Sequence, residues 1–146
     1  MLALVAGIVS LLCLGGVGVF ISLYDEATEI KRSAPDAVVD NFLGAYLVNR
    51  SDQEAELYTC KNPDLTGIAG LRSEMLKREE AFGVAVSVSW ESLRVAGSGA
   101  GPRSVSADLT IAGSSSGNVV SRRTETWTFD LVDDDGWRVC GSRKVS

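Results

Sequence analysis

The chain has 146 residues, 45% of them hydrophobic, and its 14 basic and 19 acidic side chains give a formal net charge of -5. An acidic chain without a block of Lys or Arg makes nucleic acid and anionic lipid headgroups poor partners, because phosphate binding needs a basic stripe. The chain has no histidine, which excludes Ser-His-Asp and Cys-His nucleophile systems and the usual zinc ligand set. We therefore predict no metal and no cofactor.

Residues 2–23 are apolar or small and carry no charge, which predicts a membrane-spanning helix. Their ~33 Å of helix slightly exceeds the ~30 Å hydrocarbon core of a bilayer. A cleaved signal peptide would have a basic start, a shorter apolar run and a small-x-small cleavage site, and this stretch has none of them. We expect an uncleaved signal-anchor over residues 1–23, a juxtamembrane linker over residues 24–34 and one folded domain over residues 35–146.

The charges and the cysteines disagree about which side of the membrane the domain occupies. Lys31 and Arg32 follow the span and no basic residue precedes it, so the positive-inside rule places the domain in the cytoplasm. Cys60 and Cys140 are the only cysteines after the span, and an even count in a small tethered domain favours one disulfide in an oxidising compartment. Two buried free thiols are the alternative. We give the cysteines more weight and expect a single-pass cell-membrane protein with its domain outside.

Three helices are predicted at the start of the domain. The first begins at Pro35 and keeps an apolar spacing of three and four until Asn49. The second is short, is capped by Ser51 and runs through Cys60. The third covers residues 67–82, and its outer face carries the charged residues Arg72, Glu74, Lys77, Arg78, Glu79 and Glu80.

From residue 84 the apolar period changes to two, which predicts strands. The first strand covers residues 84–95, and a slip of its apolar phase indicates a bulge near Glu91 or Ser92. Further strands are predicted over residues 105–111, 119–132 and 137–144, with a hairpin turn between the last two. Helices followed by an antiparallel meander predict an α+β domain with three helices covering one face of a four-stranded antiparallel sheet.

This element order resembles the NTF2-like (cystatin-like, SnoaL-like) fold over residues 35–144. The sequences AVVDNFLGAY at 37–46, YTC at 58–60 and GWRVCG at 136–141 are similar, more narrowly, to small NTF2-like membrane proteins of actinobacteria, among them the Mce-associated membrane proteins. The resemblance implies a curved sheet wrapped round the helices, a domain held outside the membrane by one N-terminal span, and a pocket between sheet and helices. Isomerases and dehydratases of this fold use pocket carboxylates.

The candidate pocket residues are Tyr46, Tyr58, Trp90, Arg123, Glu125 and Trp127. Glu125 has the inward phase of Trp127 on its strand, so it can act as a general base with Arg123 as its charged partner. An exposed ion pair at the end of the sheet is the alternative that we prefer. The tyrosines can offer hydroxyls and the tryptophans can line walls, whereas the alternative is that all four belong to the core.

The sequence predicts a non-enzymatic, membrane-anchored extracytoplasmic domain that binds another protein or an apolar small ligand, as an accessory part of a cell-envelope complex. A small-molecule isomerase or dehydratase that uses Glu125 or another pocket carboxylate is the alternative function. A purely structural tether differs from the first hypothesis only in lacking a pocket.

Overall fold

A computed structural model describes residues 32–146, so the predicted span over residues 2–23 lies outside the described residues. Within residues 32–146, no helix combines the length and the apolar character needed to cross a membrane. The elements in chain order are α1 (Pro35–Leu43) with a π-helical extension (Gly44–Val48), α2 (Asp52–Ala55) with a 3-10 turn (Glu56–Tyr58), β1 (Thr59–Asp64), α3 (Thr66–Phe82), β2 (Ala85–Ala96), β3 (Arg103–Ser115), β4 (Asn118–Asp133) and β5 (Trp137–Lys144).

The first helix forms as predicted. Pro35 lies in the first turn of α1, where its missing N–H costs nothing, and Asp36 lies near the positive end of the helix dipole. The four apolar side chains of α1 are buried, and the π-helical turn continues the buried face as far as Leu47, whereas Val48 is exposed. The amphipathic spacing therefore predicted both the helix and the side that it packs.

The second helix is shorter than predicted. The Ser51 side chain accepts a hydrogen bond from the Glu54 N–H at 3.2 Å, which confirms the predicted cap. The chain leaves the helical region after Tyr58, however, and Thr59 adopts an extended conformation. The prediction that this helix runs through Cys60 is wrong, because Cys60 lies in β1. Pairing with a distant strand outweighs the weak helical preference of this segment.

The sheet has the strand order β1-β5-β4-β3-β2. The predicted antiparallel meander of β2 to β5 is confirmed, and β2 shifts register between Glu91 and Arg94, where a bulge was expected. The prediction of a four-stranded antiparallel sheet is corrected to five strands of mixed direction, since β1 pairs with β5 in parallel. Parallel partners lie far apart along the chain, so no local pattern indicates this pairing.

The helices cover one face of the sheet, which confirms the α+β class. Buried side chains from α1, α3 and the strands form one core, whose largest members include Phe42, Leu43, Ile68, Met75, Leu109, Phe129 and Leu131. The rings of Phe42 and Phe129 join helix and sheet edge-to-face, with centroids 6.1 Å apart. Arg32, which lies within the predicted linker, contacts the sheet, because its carbonyl oxygen accepts a hydrogen bond from the Trp137 N–H at 2.9 Å.

Candidate binding cleft

Cys60 and Cys140 form a disulfide with Cα atoms 5.1 Å apart, which confirms the predicted pair. A bulge in β5 explains how Cys140 reaches β1. Along the β4–β5 ladder the partner of Asp130 is Gly141 and the partner of Leu131 is Val139, so Cys140 is an extra residue without a partner on β4. The bulge therefore lets Cys140 bond to β1 although its neighbour Val139 points into the core.

The disulfide supports an edge strand that has little other attachment. β1 and β5 are in register at only two positions, Thr59 with Val139 and Asp64 with Gly141, and the register shifts between them. A strand joined by so few ladder positions gains little from backbone hydrogen bonds. The covalent bond between Cys60 and Cys140 therefore adds a further attachment at the start of β1, next to the pair of Thr59 and Val139.

Beside this strand lies a cleft of about 790 Å³, a size typical of small-molecule sites. One wall comes from α2 and the turn after it, with Ala55 and Glu56, and another from β1, with Cys60 and Lys61. The turn between β4 and β5 and the start of β5 also border the cleft, including Arg138. The disulfide therefore fixes one wall of the cleft.

Tyr46 and Arg72 meet in this cleft. The Arg72 guanidinium carbon lies 4.0 Å from the centroid of the Tyr46 ring, and that ring also stacks on Phe42, with centroids 5.3 Å apart. Arg72 Nη1 forms an ion pair with Asp52 Oδ1 at 2.7 Å and donates to the Tyr46 carbonyl oxygen at 3.5 Å. Stacking and the ion pair together hold the guanidinium in one orientation.

The hydroxyl of Tyr46 is the unusual group of the cleft. The residue is only 6% exposed, and the hydroxyl makes no hydrogen bond to any described residue. Every fully buried side-chain N or O atom of residues 32–146 has a partner, and Tyr46 lines the cleft. We therefore infer that this hydroxyl faces the open volume of the cleft. Burial raises the pKa of Tyr46, the nearby Arg72 charge lowers it and Asp52 raises it, with a net rise.

Glu125 is buried, with only 7% of its surface exposed. We had preferred an exposed ion pair at this position. Its Oε1 accepts hydrogen bonds from Arg123 Nε and Lys144 Nζ, both at 3.0 Å, and its Oε2 accepts one from Trp127 Nε1 at 3.0 Å. Burial raises the pKa of Glu125, but these hydrogen bonds and the two positive charges outweigh it, so the pKa lies below its usual value. The cluster keeps Glu125 ionised, and none of its members is among the residues that line the cleft.

The remaining candidates lie in different places. Tyr46 lines the cleft, whereas Tyr58 packs half-buried against the core. Trp90 joins β2 to α1, because its Nε1–H donates to Asp40 Oδ1 at 2.8 Å. The structure thus brings Tyr46 to the cleft and places the other five candidate pocket residues away from its lining.

Sequence reasoning missed Arg72, which we had placed on the outer face of its helix. The side chain of Arg72 is only 20% exposed. A usable signal was present, since Ile68, Arg72, Met75 and Glu79 follow one another at spacings of four, three and four and therefore share one stripe of α3. An arginine on the same stripe as buried Ile68 and Met75 must direct its charged end toward a gap or a partner.

Within residues 32–146, no group of three or more Cys, Asp or Glu side chains is arranged to hold a metal ion.

No family model and no curated protein matches the chain. Solved structures do match. A candidate aromatic ring hydroxylase from Novosphingobium aromaticivorans is 18% identical, with a TM-score of 0.44 and 75% of this chain and 87% of that chain covered. AclR, a candidate hydroxylase from Streptomyces galilaeus, is 11% identical, with a TM-score of 0.45 and coverages of 76% and 77%. The intermembrane space region of the chloroplast protein ARC6 is 13% identical, with a TM-score of 0.43 and coverages of 81% and 98%. At these values the similarity carries no argument about function.

Proposed function

We propose that this chain is a membrane-anchored binding protein whose NTF2-like domain lies on the extracytoplasmic side and serves as an accessory part of a cell-envelope complex. The observation that carries the proposal is the disulfide between Cys60 and Cys140, which supports the wall of an open cleft. Disulfides persist in oxidising compartments and are rare in the cytosol. The uncharged residues 2–23 supply the anchor, and the resemblance to small actinobacterial membrane proteins supports the same assignment.

The geometry favours binding over catalysis. A general base needs a lone pair that reaches the substrate and a pKa near the working pH. Glu125 meets neither condition, because it is buried outside the cleft lining with three donors on its oxygens and its pKa lies below the usual value. In the cleft, Asp52 is paired with Arg72 and its side chain is 71% exposed. The isomerase or dehydratase alternative therefore has no support from these carboxylates.

The compartment is tested by counting thiols. In a Cys13→Ser variant of the full chain, Cys60 and Cys140 are the only cysteines. Acid-quenched native envelope is denatured and treated with polyethylene-glycol maleimide before and after reduction. We expect no added tag before reduction and two afterwards, while a Cys13→Ser/Cys60→Ser control accepts one tag in both samples. Two tags on the unreduced protein would overturn the extracytoplasmic placement.

Membrane topology gives an independent test. An alkaline phosphatase fused after Ser146 should be active and a green fluorescent protein at the same position dark, because phosphatase needs disulfides that form outside the cytoplasm. The reverse pattern would place the domain inside and would refute the proposal.

The binding role is tested by cross-linking in the native envelope. A photoreactive benzoylphenylalanine replaces Lys61, which is exposed and borders the cleft. The matched control carries the same group at Arg122, which is exposed and outside the cleft lining. We expect a discrete adduct from position 61 alone. Equal labelling from both positions, or none from either, would contradict a binding cleft and favour a purely structural tether.

A further inference from the structure

We propose that the cleft binds a small organic carboxylate, whose oxygens are held by the hydroxyl of Tyr46 and the guanidinium of Arg72. The inference rests on the proposed binding function and names the ligand class of the same cleft. Three features carry it: an unpartnered hydroxyl, an oriented guanidinium edge and an apolar lining next to them.

The hydroxyl of Tyr46 fits a ligand oxygen. More than nine-tenths of this residue is buried, yet its hydroxyl has no partner among the described residues and reaches the cleft. A phenol shielded in this way loses hydrogen bonds to bulk water, so an acceptor that enters the cleft gains a ready donor. Burial also raises the pKa of Tyr46, which keeps the hydroxyl protonated and able to donate.

The guanidinium of Arg72 offers a second, oriented pair of donors. Its Nη1 is occupied by Asp52 and by the Tyr46 carbonyl, whereas its Nε and Nη2 make no hydrogen bond to any described residue. Nε–H and one Nη2–H point in parallel from the same edge, which is the geometry that a carboxylate accepts with both oxygens. Because Arg72 Cζ lies 4.0 Å from the Tyr46 ring centroid, one carboxylate can contact the hydroxyl and this edge together.

The charges around the cleft are mixed, so the inner position of Arg72 decides which ligand charge the cleft favours. Four acidic side chains (Asp52, Glu56, Asp134 and Asp135) and three basic ones (Lys61, Arg72 and Arg138) line the cleft. The four acidic residues and Lys61 are exposed to water, where their influence is screened, whereas Arg72 and Arg138 are half-buried. The partner of Arg72, Asp52, has a side chain that is 71% exposed, whereas that of Arg72 is 20% exposed. A less hydrated charge interacts more strongly with a ligand, so the cleft favours an anion.

The cleft also has an apolar surface for the body of the ligand. Ala55 belongs to the hydrophobic core and Leu65 packs against it. Both residues line the cleft, together with Pro63. Inorganic phosphate would leave this surface wet, whereas an aryl or alkyl group would cover it. The lining therefore favours an organic acid over a free inorganic anion.

The test compares ligands that share one body and differ in the head group. The full chain in phosphatidylcholine nanodiscs is titrated by calorimetry with phenylacetate, 2-phenylethanol and phenethylammonium, then with hexanoate, hexanol and hexylammonium, and finally with inorganic phosphate. Empty nanodiscs measure partition into lipid. We expect at least one carboxylate to bind about tenfold more tightly than its alcohol and its ammonium counterpart, the difference that one charge-assisted hydrogen bond supplies.

Two substitutions test the assigned residues. Tyr46→Phe should weaken binding of the carboxylate about tenfold, and Arg72→Gln about thirtyfold or more, because each removes donors to a charged group. Arg72→Lys keeps the charge and loses the parallel donors, so it should also weaken binding and serves if the glutamine variant is unstable. Tyr58→Phe and Arg122→Gln are matched controls outside the cleft lining and should leave the affinity unchanged.

Several results would overturn the inference. The inference fails if each carboxylate and its alcohol bind equally, or if the ammonium ligands bind best. It also fails if phosphate binds as tightly as the organic acids, or if Tyr46→Phe and both Arg72 variants keep the wild-type affinity. A preference for ammonium would leave the cleft as a binding site and refute its ligand class alone. Free thiols at Cys60 and Cys140 would instead refute the compartment while leaving a measured carboxylate preference intact.

Discussion

Removing the disulfide between Cys60 and Cys140 should destabilise the domain strongly. Cys60 and Cys140 lie 80 residues apart in sequence, so breaking their bond releases a long loop in the unfolded chain. The chain-entropy relation gives about 4.5 kcal/mol for a loop of this length. That is a large part of the roughly 5–15 kcal/mol by which domains are stable, and it corresponds to a fall of roughly 15–20 °C in Tm for a domain of this size.

The measurement uses a Cys60→Ser/Cys140→Ser variant in a Cys13→Ser background, compared with Cys13→Ser alone. Urea unfolding is followed by tryptophan fluorescence, because all three tryptophans, Trp90, Trp127 and Trp137, lie in the described domain. Both cysteines are only half-buried, so their replacement removes little apolar packing and isolates the effect of the covalent bond.

Reduction of the Cys13→Ser protein by a phosphine should reproduce the stability of the double serine variant. A loss below about 1 kcal/mol in both experiments would refute the reasoning, because it would mean that the bond does not restrict the unfolded chain. Cross-linking from position 61 should also weaken in the variant, since β1 would then be attached to β5 at two register positions alone.

Three further predictions concern single side chains. Hydrogen bonding to Arg50 at 2.7 Å and 2.9 Å holds the pKa of Glu79 below its usual value. The stabilisation that this ion pair gives the folded domain is therefore present above the unfolded pKa of Glu79, about 4.3. It is lost as the pH falls through the lower pKa of the folded state. Glu79→Gln should cost about 1 kcal/mol at pH 7 and progressively less as the pH falls below about 4 in urea titrations. Ser51→Ala should cost about 1 kcal/mol in the same assay, because it removes the cap of α2. Gly70→Ala should raise the free energy of unfolding by about 1 kcal/mol, since its new methyl meets open space within a helix, whereas Gly67→Ala should not, since its methyl would lie 3.1 Å from a tryptophan ring atom.

Matched controls make these three predictions decisive. Glu80→Gln, at an exposed position next to Glu79, should cost about 0.5 kcal/mol or less at pH 7. Identical pH profiles for wild type and Glu79→Gln would contradict the ion-pair argument. Ser73→Ala, at an exposed position of α3, removes a hydroxyl without removing a cap, so an equal loss there would contradict the role of Ser51. Equal gains for Gly70→Ala and Gly67→Ala would contradict the close packing at Gly67.

Local patterns were sufficient for most of the fold. The apolar spacing of α1 and α3 and the alternation of β2 to β5 reflect which face of each element is buried, and that face is a property of nearby residues. Pro35 and Ser51 predicted the helix starts correctly for the same reason. The unpaired backbone groups at a helix end find their hydrogen-bond partners within one turn. The bulge near Ser92 was visible because it shifts the apolar phase of a single strand.

The candidate site was harder to predict because its groups come from distant segments. Glu125 had the inward phase of its strand, but whether an inward carboxylate meets a cavity or a set of donors depends on Lys144 and Trp127. Tyr46 was recognised as a possible hydroxyl donor without any indication that the hydroxyl would be left unpartnered. Arg72 was assigned to solvent because a charged residue on a helix is exposed in most cases.

By itself, the sequence determined the α+β class, the helix starts, the strand meander and the pairing of Cys60 with Cys140, because each follows from a local period, a cap or a count. Only the tertiary structure decided that Cys60 lies in a fifth strand, that a bulge at Cys140 lets the two sulfur atoms meet, and that Tyr46 and Arg72 face one cleft. These features depend on contacts between segments far apart in the chain, and the free energy of such contacts outweighs the weak local preferences that a sequence displays.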